Sequence, residues 1–417
     1  MINALLKHPP SKREFVMLMA GLMAVDALAI DIMLPAFPQI GAALSIANPN
    51  DRSLLVTAFL MGFGPLQLAF GPLSDRFGRR PLILWGLLAY VGAAFACALA
   101  TTLTAMLIAR FFQGVATAAV KVAFGAAIRD RYAGQAMAEI MSLIAAVFLL
   151  IPVVCPTIGQ VLLMLGGWQS IFLFMGVIGA AFALWSALRL GESLKPEDRR
   201  SLDFGVIAGG FGIVLGNRRA FAYGICGTFV YGIISNCLNT AQQIYVEIFH
   251  LGAWFPVAFA FTAGVASTSS LFMGKLTRSF GMRRVAHMAS LIIILASLGF
   301  GLMSLSGPPT LVAFYLMLLL VFPCVVAIFT ATGALAMEPL GEVAGTAQSV
   351  FGAITIVGGA LIGLVTAQLY NGTVVPLLFA NFVMGLCCLG CALFAEDGRL
   401  FNRDERPLPN TALAEIL

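Results

Sequence analysis

The stretch Gly71-Pro72-Leu73-Ser74-Asp75-Arg76-Phe77-Gly78-Arg79-Arg80-Pro81 places one acid and three arginines between two long apolar runs. Gly71 and Gly78 have the freedom for a close helix approach and a tight turn, and Asp75 stands near a helix end with Arg76, Arg79 and Arg80 as available partners. Such a cluster either anchors a loop at the basic face of a membrane or latches helices in one arrangement. A related stretch follows at a constant offset of 203: Gly274-Lys275-Leu276-Thr277-Arg278-Ser279-Phe280-Gly281 repeats both glycines, with Leu276 for Leu73 and Phe280 for Phe77. A fainter echo links Ala133-Gly134-Gln135-Ala136 with Ala344-Gly345-Thr346-Ala347. The chain reads as two related halves.

Outward from this stretch the sequence is apolar. Of 417 residues, 60% are hydrophobic and 10% charged, and the mean hydropathy is +0.97, which excludes an ordinary soluble domain. Twelve apolar runs lie near 15–37, 53–72, 81–101, 104–127, 136–160, 168–189, 219–247, 253–273, 284–305, 309–332, 342–368 and 374–395. Each can cross a hydrocarbon core of about 30 Å. They lack the two-residue alternation of barrel strands, so the expected fold is an all-α membrane protein. The first run carries Asp26 and Asp31 and is too long for a signal peptide, so it reads as a retained span. The eight cysteines all fall within the runs, with no metal-ligand spacing and no paired framework.

Basic residues collect in alternate connectors: Arg76 to Arg80, Arg129 and Arg131, Arg189 to Arg219, Lys275 to Arg284, and the tail. Those connectors, with both termini, are expected in the cytoplasm. The net charge of +5 then reflects topology, and no nucleic-acid partner is expected. A polar segment at 190–218 reads as a cytoplasmic linker between an N-terminal six-helix bundle, 1–189, and a C-terminal six-helix bundle with its tail, 219–417.

The glycine-arginine stretch resembles the signature loop of the major facilitator superfamily, and its weaker copy occurs where that superfamily has one. Arg110-Phe111-Phe112-Gln113-Gly114 resembles the fourth-helix motif of the superfamily's drug antiporters. Ala29-Ile30-Asp31-Ile32-Met33-Leu34-Pro35-Ala36-Phe37-Pro38 resembles the first-helix motif of the bicyclomycin-resistance group, which includes chloramphenicol and florfenicol exporters. The resemblance covers the whole chain and implies the major facilitator fold, with two pseudo-symmetric six-helix bundles in a bacterial inner membrane. It also implies proton-coupled drug efflux by alternating access, with the proton gradient as the driving force and no cofactor. The fifth-helix motif departs from the pattern: Gly-Pro-x-x-Gly-Gly is replaced by Cys155-Pro156-Thr157-Ile158-Gly159-Gln160, which retains one proline and one glycine for a bend and a close contact.

Ionisable groups inside hydrocarbon are costly and therefore candidate functional residues. Asp31 and Arg110 lie at similar depths from the same surface and are expected to meet, with Asp31 either loading and releasing a proton as its surroundings change, or binding substrate, or forming a merely structural bridge with Arg110. Asp26 lies five residues, about 140°, from Asp31 and is either a second proton site, a cavity carboxylate that recognises a cationic drug, or a structural group. Lys121 is eleven residues, about three turns, after Arg110. It either faces the cavity, favouring anionic or strongly polar substrates, or pairs with Glu139, the slightly preferred alternative. On the polar seventh run, Tyr231, Asn236, Asn239 and Gln243 are candidate substrate contacts, joined by Gln113 of the fourth-helix motif.

The expected partners are a small molecule, protons and the lipid bilayer, with the chain a monomer. The alternatives are an exporter or symporter of an endogenous anionic metabolite and, further off, a transporter-like sensor. No His-Glu-x-x-His or Gly-x-Ser-x-Gly motif supports an enzyme, and His8, His250 and His287 are scattered.

Overall fold

A computed structural model describes residues 10–199 and 212–401. Its long helices are α1 (Lys12–Asp31), α2 (Leu54–Phe77), α3 (Arg79–Ala98), α4 (Leu103–Arg131), α5 and α6 (the arms of Gly134–Arg189), α7 (Arg218–Gln243), α8 (Phe255–Phe280), α9 (Met282–Leu305), α10 (Leu311–Met337), α11 (Ala344–Gln368) and α12 (Val375–Ala395). No strand occurs among the described residues. Eleven segments are long and apolar enough to cross a membrane, and one of these, Gly134–Arg189, has 56 residues. A straight helix of that length would run about 84 Å, far beyond one bilayer. Gly166 and Gly167 break it, the latter at φ 71°, so it makes two spans and brings the total among the described residues to twelve. The first span continues beyond α1 through a short turn into Phe37–Ala43, past its expected end.

The two halves are built by the same local devices. Thr102 caps α4 by accepting the Ala105 N–H, and Thr310 caps α10 through the Ala313 N–H. Asn217 does the same for α7, and Ser11 for α1. The repeated stretches are not loops: α2 and α8 run through them and stop at single glycines, Gly78 (φ 102°) and Gly281 (φ 83°). This positive φ, open to glycine with little strain, turns the chain directly into α3 or α9.

In the first half, α4 packs on α2 and α3, while α1 packs on the α5–α6 run. In the second, α7 is central, touching α10, α11 and α12. Two symmetry-related seams join the halves, α2 with α11 and α8 with α5. Glycines set the tightest contacts: a Cβ at Gly114 would overlap the Phe59 carbonyl, and one at Gly62 the Phe111 carbonyl, so α2 and α4 touch backbone to backbone. Gly159 likewise rests on the Ile32 carbonyl, so the surviving glycine of the altered fifth-helix motif does hold a close contact, against α1.

Candidate functional site

Four charged side chains lie deep among the first-half helices. Arg110 is fully buried; its Nε donates to the Leu55 carbonyl at 3.1 Å and its Nη1 to Gln113 Oε1 at 2.7 Å. Its guanidinium also lies 4.8 Å from the centre of the Phe59 ring, and Nη2 has no partner. The backbone contact at Gly62 and Gly114 makes this reach possible. Gln113 is equally enclosed, with Cys97 Sγ and Met175 Sδ at 3.9 and 3.6 Å, which makes it a support for Arg110.

Asp31 is 5% exposed and has neither a hydrogen bond nor an ion pair among the described residues. The expected Asp31–Arg110 bridge is absent from this conformation. The two carboxylates divide differently: Asp26 Oδ2 sits 3.1 Å from Lys121 Nζ, whose ammonium also lies 4.6 Å from the centre of the Phe63 ring. The preferred pairing of Lys121 with Glu139 is corrected, because Glu139 takes Lys12 at 2.8 Å near the helix ends. Sequence spacing missed the Asp26–Lys121 pair because it depends on how α1 is rotated against α4, which neither segment encodes alone.

From the second half, Tyr231 is half-buried. Asn236 and Asn239 are buried, and neither amide finds a hydrogen-bond partner. Unpaired buried amides are costly and uncommon, which marks this part of α7 as polar by design. Gln243 is not grouped with them: its Nε2 donates to Asn50 Oδ1 at 2.8 Å, across the seam between the halves. A recess of about 550 Å³ between α3 and α4, lined by Ala89, Gly92, Ala96, Leu99, Ile108 and Phe112, contains none of these polar groups.

At the basic end, the glycine-arginine cluster forms a tight knot. Arg79 bonds Asp75 at 2.5 Å, Asp130 at 2.9 Å and Ser74 Oγ at 3.1 Å. Glu192, just past α6, accepts the backbone N–H groups of Arg79 and Arg80 at 2.9 and 3.2 Å and so caps α3 from a distance. Arg80 holds the Ala187 carbonyl, whereas Arg76 is exposed, lying over the Phe77 ring. Gly71 faces open space, so the close approach expected of it is not made. Asp130 and Glu192 were not singled out from sequence, although both are acids beside basic connectors. Gly78→Val is expected to lower stability by about 1–3 kcal/mol, read as a fall in melting temperature, because its Cβ would meet the Glu192 carboxylate and its φ is unfavourable.

The second half has a counterpart. Arg283, at the start of α9, lies 3.1 Å from Glu396 and 3.9 Å from Glu338. Glu396 is 3% exposed, accepts the Tyr223 hydroxyl at 2.9 Å and sits 3.7 Å from Arg219. Arg278 stands where Asp75 does in the first half.

Relatives agree with this architecture. The chain is 28% identical over 389 residues to a bicyclomycin resistance protein homolog of Haemophilus influenzae, covering 89% of this chain and 93% of that one. It is 28% identical over 397 residues to a chloramphenicol resistance protein of Pseudomonas aeruginosa, covering 90% of each. Among solved structures, the nucleoside transporter NupG superimposes with a TM-score of 0.70 at 13% identity, covering 91% of this chain and 99% of that one. The xylose transporter XylE of E. coli, in a partially occluded inward-open conformation, gives 0.69 at 12% identity, covering 92% and 97%. These structural likenesses bear on the fold alone. The sequence profile of the Major Facilitator Superfamily matches residues 19–364, and with twelve spans in two related halves the chain belongs to that superfamily.

Proposed function

We propose that this protein is a proton-driven exporter of small amphipathic compounds, antibiotics among them, working by alternating access in a bacterial inner membrane as a monomer. The basic end faces the cytoplasm on the positive-inside rule, and 1–189 and 219–417 move as two bundles about the linker at 190–218, of which 200–211 lie outside the described residues. The observation that carries the reading is Asp31: a buried carboxylate with no partner, beside an Asp26 that already holds an ammonium. A proton is the counter-charge left to it. Arg110, with one guanidinium nitrogen unpartnered, is the cation Asp31 meets when the helices rearrange, and that encounter expels the proton. Tyr231, Asn236 and Asn239 supply uncharged substrate contacts from the opposite half, while the Arg79–Asp75–Asp130 knot, extended by Arg80, Gly78 and Glu192, stiffens the cytoplasmic end. No cofactor is required beyond the proton gradient. The names of the two resistance relatives support the direction of transport and the substrate class.

A second reading, transport of an anionic metabolite, is favoured by one feature: the Lys121 side chain is 36% exposed while its partner Asp26 is 13% exposed, so the accessible charge is cationic. Vesicles containing the protein, given an inward proton gradient and a panel of anionic, neutral and cationic compounds, separate the two. Export of neutral antibiotics that collapses with a protonophore is expected. Uptake of anions together with protons, or no gradient dependence at all, would overturn the first reading.

A further inference from the structure

The end of the bundle opposite the arginine knots is closed by one asparagine. Asn50 Nδ2 donates to two second-half carbonyls, Gln368 at 3.2 Å and Tyr370 at 3.0 Å, at the end of α11. Its Oδ1 accepts from Gln243 Nε2 of α7 at 2.8 Å. Both donors and the acceptor of this amide are thus committed across the seam. The next residue adds a bond, Gln368 Nε2 donating to Asp51 Oδ1 at 3.1 Å.

The mount is rigid on the first-half side. Asn50 N–H is held by Asn48 Oδ1 at 3.1 Å and its carbonyl by Ser53 Oγ at 2.7 Å, within a short helical turn that begins at Pro49. On the other side, Tyr370 also donates to Glu247 at 3.4 Å. Burial and that neighbouring carboxylate raise the Tyr370 hydroxyl above its ordinary range, which keeps it a donor. Each described ion pair at the basic end, by contrast, stays within its own half. Opening the outer end means breaking all three Asn50 side-chain bonds together.

We propose that Asn50 is the positioning residue of an outer clasp, holding the periplasmic ends of α2, α7 and α11 together and setting how often the transporter opens outward. Gln243 belongs to this clasp. The assignment rests on the alternating-access reading above. Loss of the Asn50 side chain removes three partly buried hydrogen bonds from one of two balanced states, which shifts the equilibrium by about tenfold or more. The substrate site is not altered directly.

Spin labels at Ala47→Cys and Ala253→Cys, both exposed and at this end of opposite halves, report the separation in full-length protein in liposomes once Cys387 and Cys391, the cysteines that are not fully buried, are replaced by serine. Without further change, two distance populations are expected, their ratio responding to an imposed pH gradient. Asn50→Ala should raise the longer-distance population about tenfold or more relative to the shorter one, on the order expected for losing these bonds. Asn50→Asp, which keeps the shape and loses both donors, should act in the same direction and covers the case in which the alanine variant does not fold. Gln243→Ala added to Asn50→Ala should add little, because their bond is already gone. Wild-type populations in a variant of unchanged melting temperature would overturn the clasp while leaving the transport reading intact. A single distance under every gradient, before any clasp mutation, would overturn both.

Discussion

Asp31→Asn is expected to abolish export driven by a pH gradient while leaving the amount of protein in the membrane at its wild-type level. Asn has nearly the shape of Asp, and because Asp31 makes no hydrogen bond or ion pair, none is lost in this conformation. Stability should therefore change by less than about 1 kcal/mol. What disappears is a group that can exchange a proton. Equilibrium exchange of substrate across vesicles without a gradient should persist, which distinguishes lost coupling from lost binding. Gradient-driven accumulation at wild-type rates by the variant would remove Asp31 from the coupling machinery.

The second large effect belongs to Lys121. Removing its ammonium by Lys121→Ala leaves Asp26 without its partner and Phe63 without its cation. A fully buried pair broken in this way costs about 3–5 kcal/mol; the one-third exposure of Lys121 brings the expectation to roughly 2 kcal/mol, seen as a lower melting temperature. Asp26→Asn in the same chain should restore most of that stability, since the stranded charge is gone. Transport separates the two roles of the lysine: neutral compounds should recover in the double variant, whereas anionic compounds should not, because the solvent-accessible ammonium that would receive them is gone. Strictly additive losses in the single and double variants would show that Asp26 and Lys121 do not act as a pair.

Much of the architecture is legible in the chain. The runs of apolar residues carry the spans, because a bilayer demands length and backbone satisfaction and little else. The halves are legible because Gly78 and Gly281 do the same conformational work in each. The missing detail is rotational. The predicted meeting of Asp31 with Arg110 used depth correctly but could not fix which way α1 turns, and a modest rotation sends Asp26, not Asp31, to a basic side chain of α4. Gln243 continues the polar stripe of α7 in sequence, yet it sits one turn closer to the helix end, where the other half offers Asn50. Asp130, in the last turn of α4, and Glu192, past α6, lie 51 and 113 residues from Arg79, so no local pattern joins them to it.

The placement of Glu192 and Glu396 also orders events during synthesis. Every described partner in the first knot, from Ser74 to Ser193, has been made before any second-half helix exists. That bundle can lock its basic end while the ribosome is still working. Arg219, Tyr223 and Arg283 instead wait for Glu396, near the end of the chain, and the interval between the two glutamates corresponds to roughly 10–40 s at about 5–20 residues per second. During that interval the second bundle carries two arginines at its basic end without their shared carboxylate. The first bundle is then a finished template against which the second is assembled, and shortening the chain ahead of residue 396 would strand the later half alone.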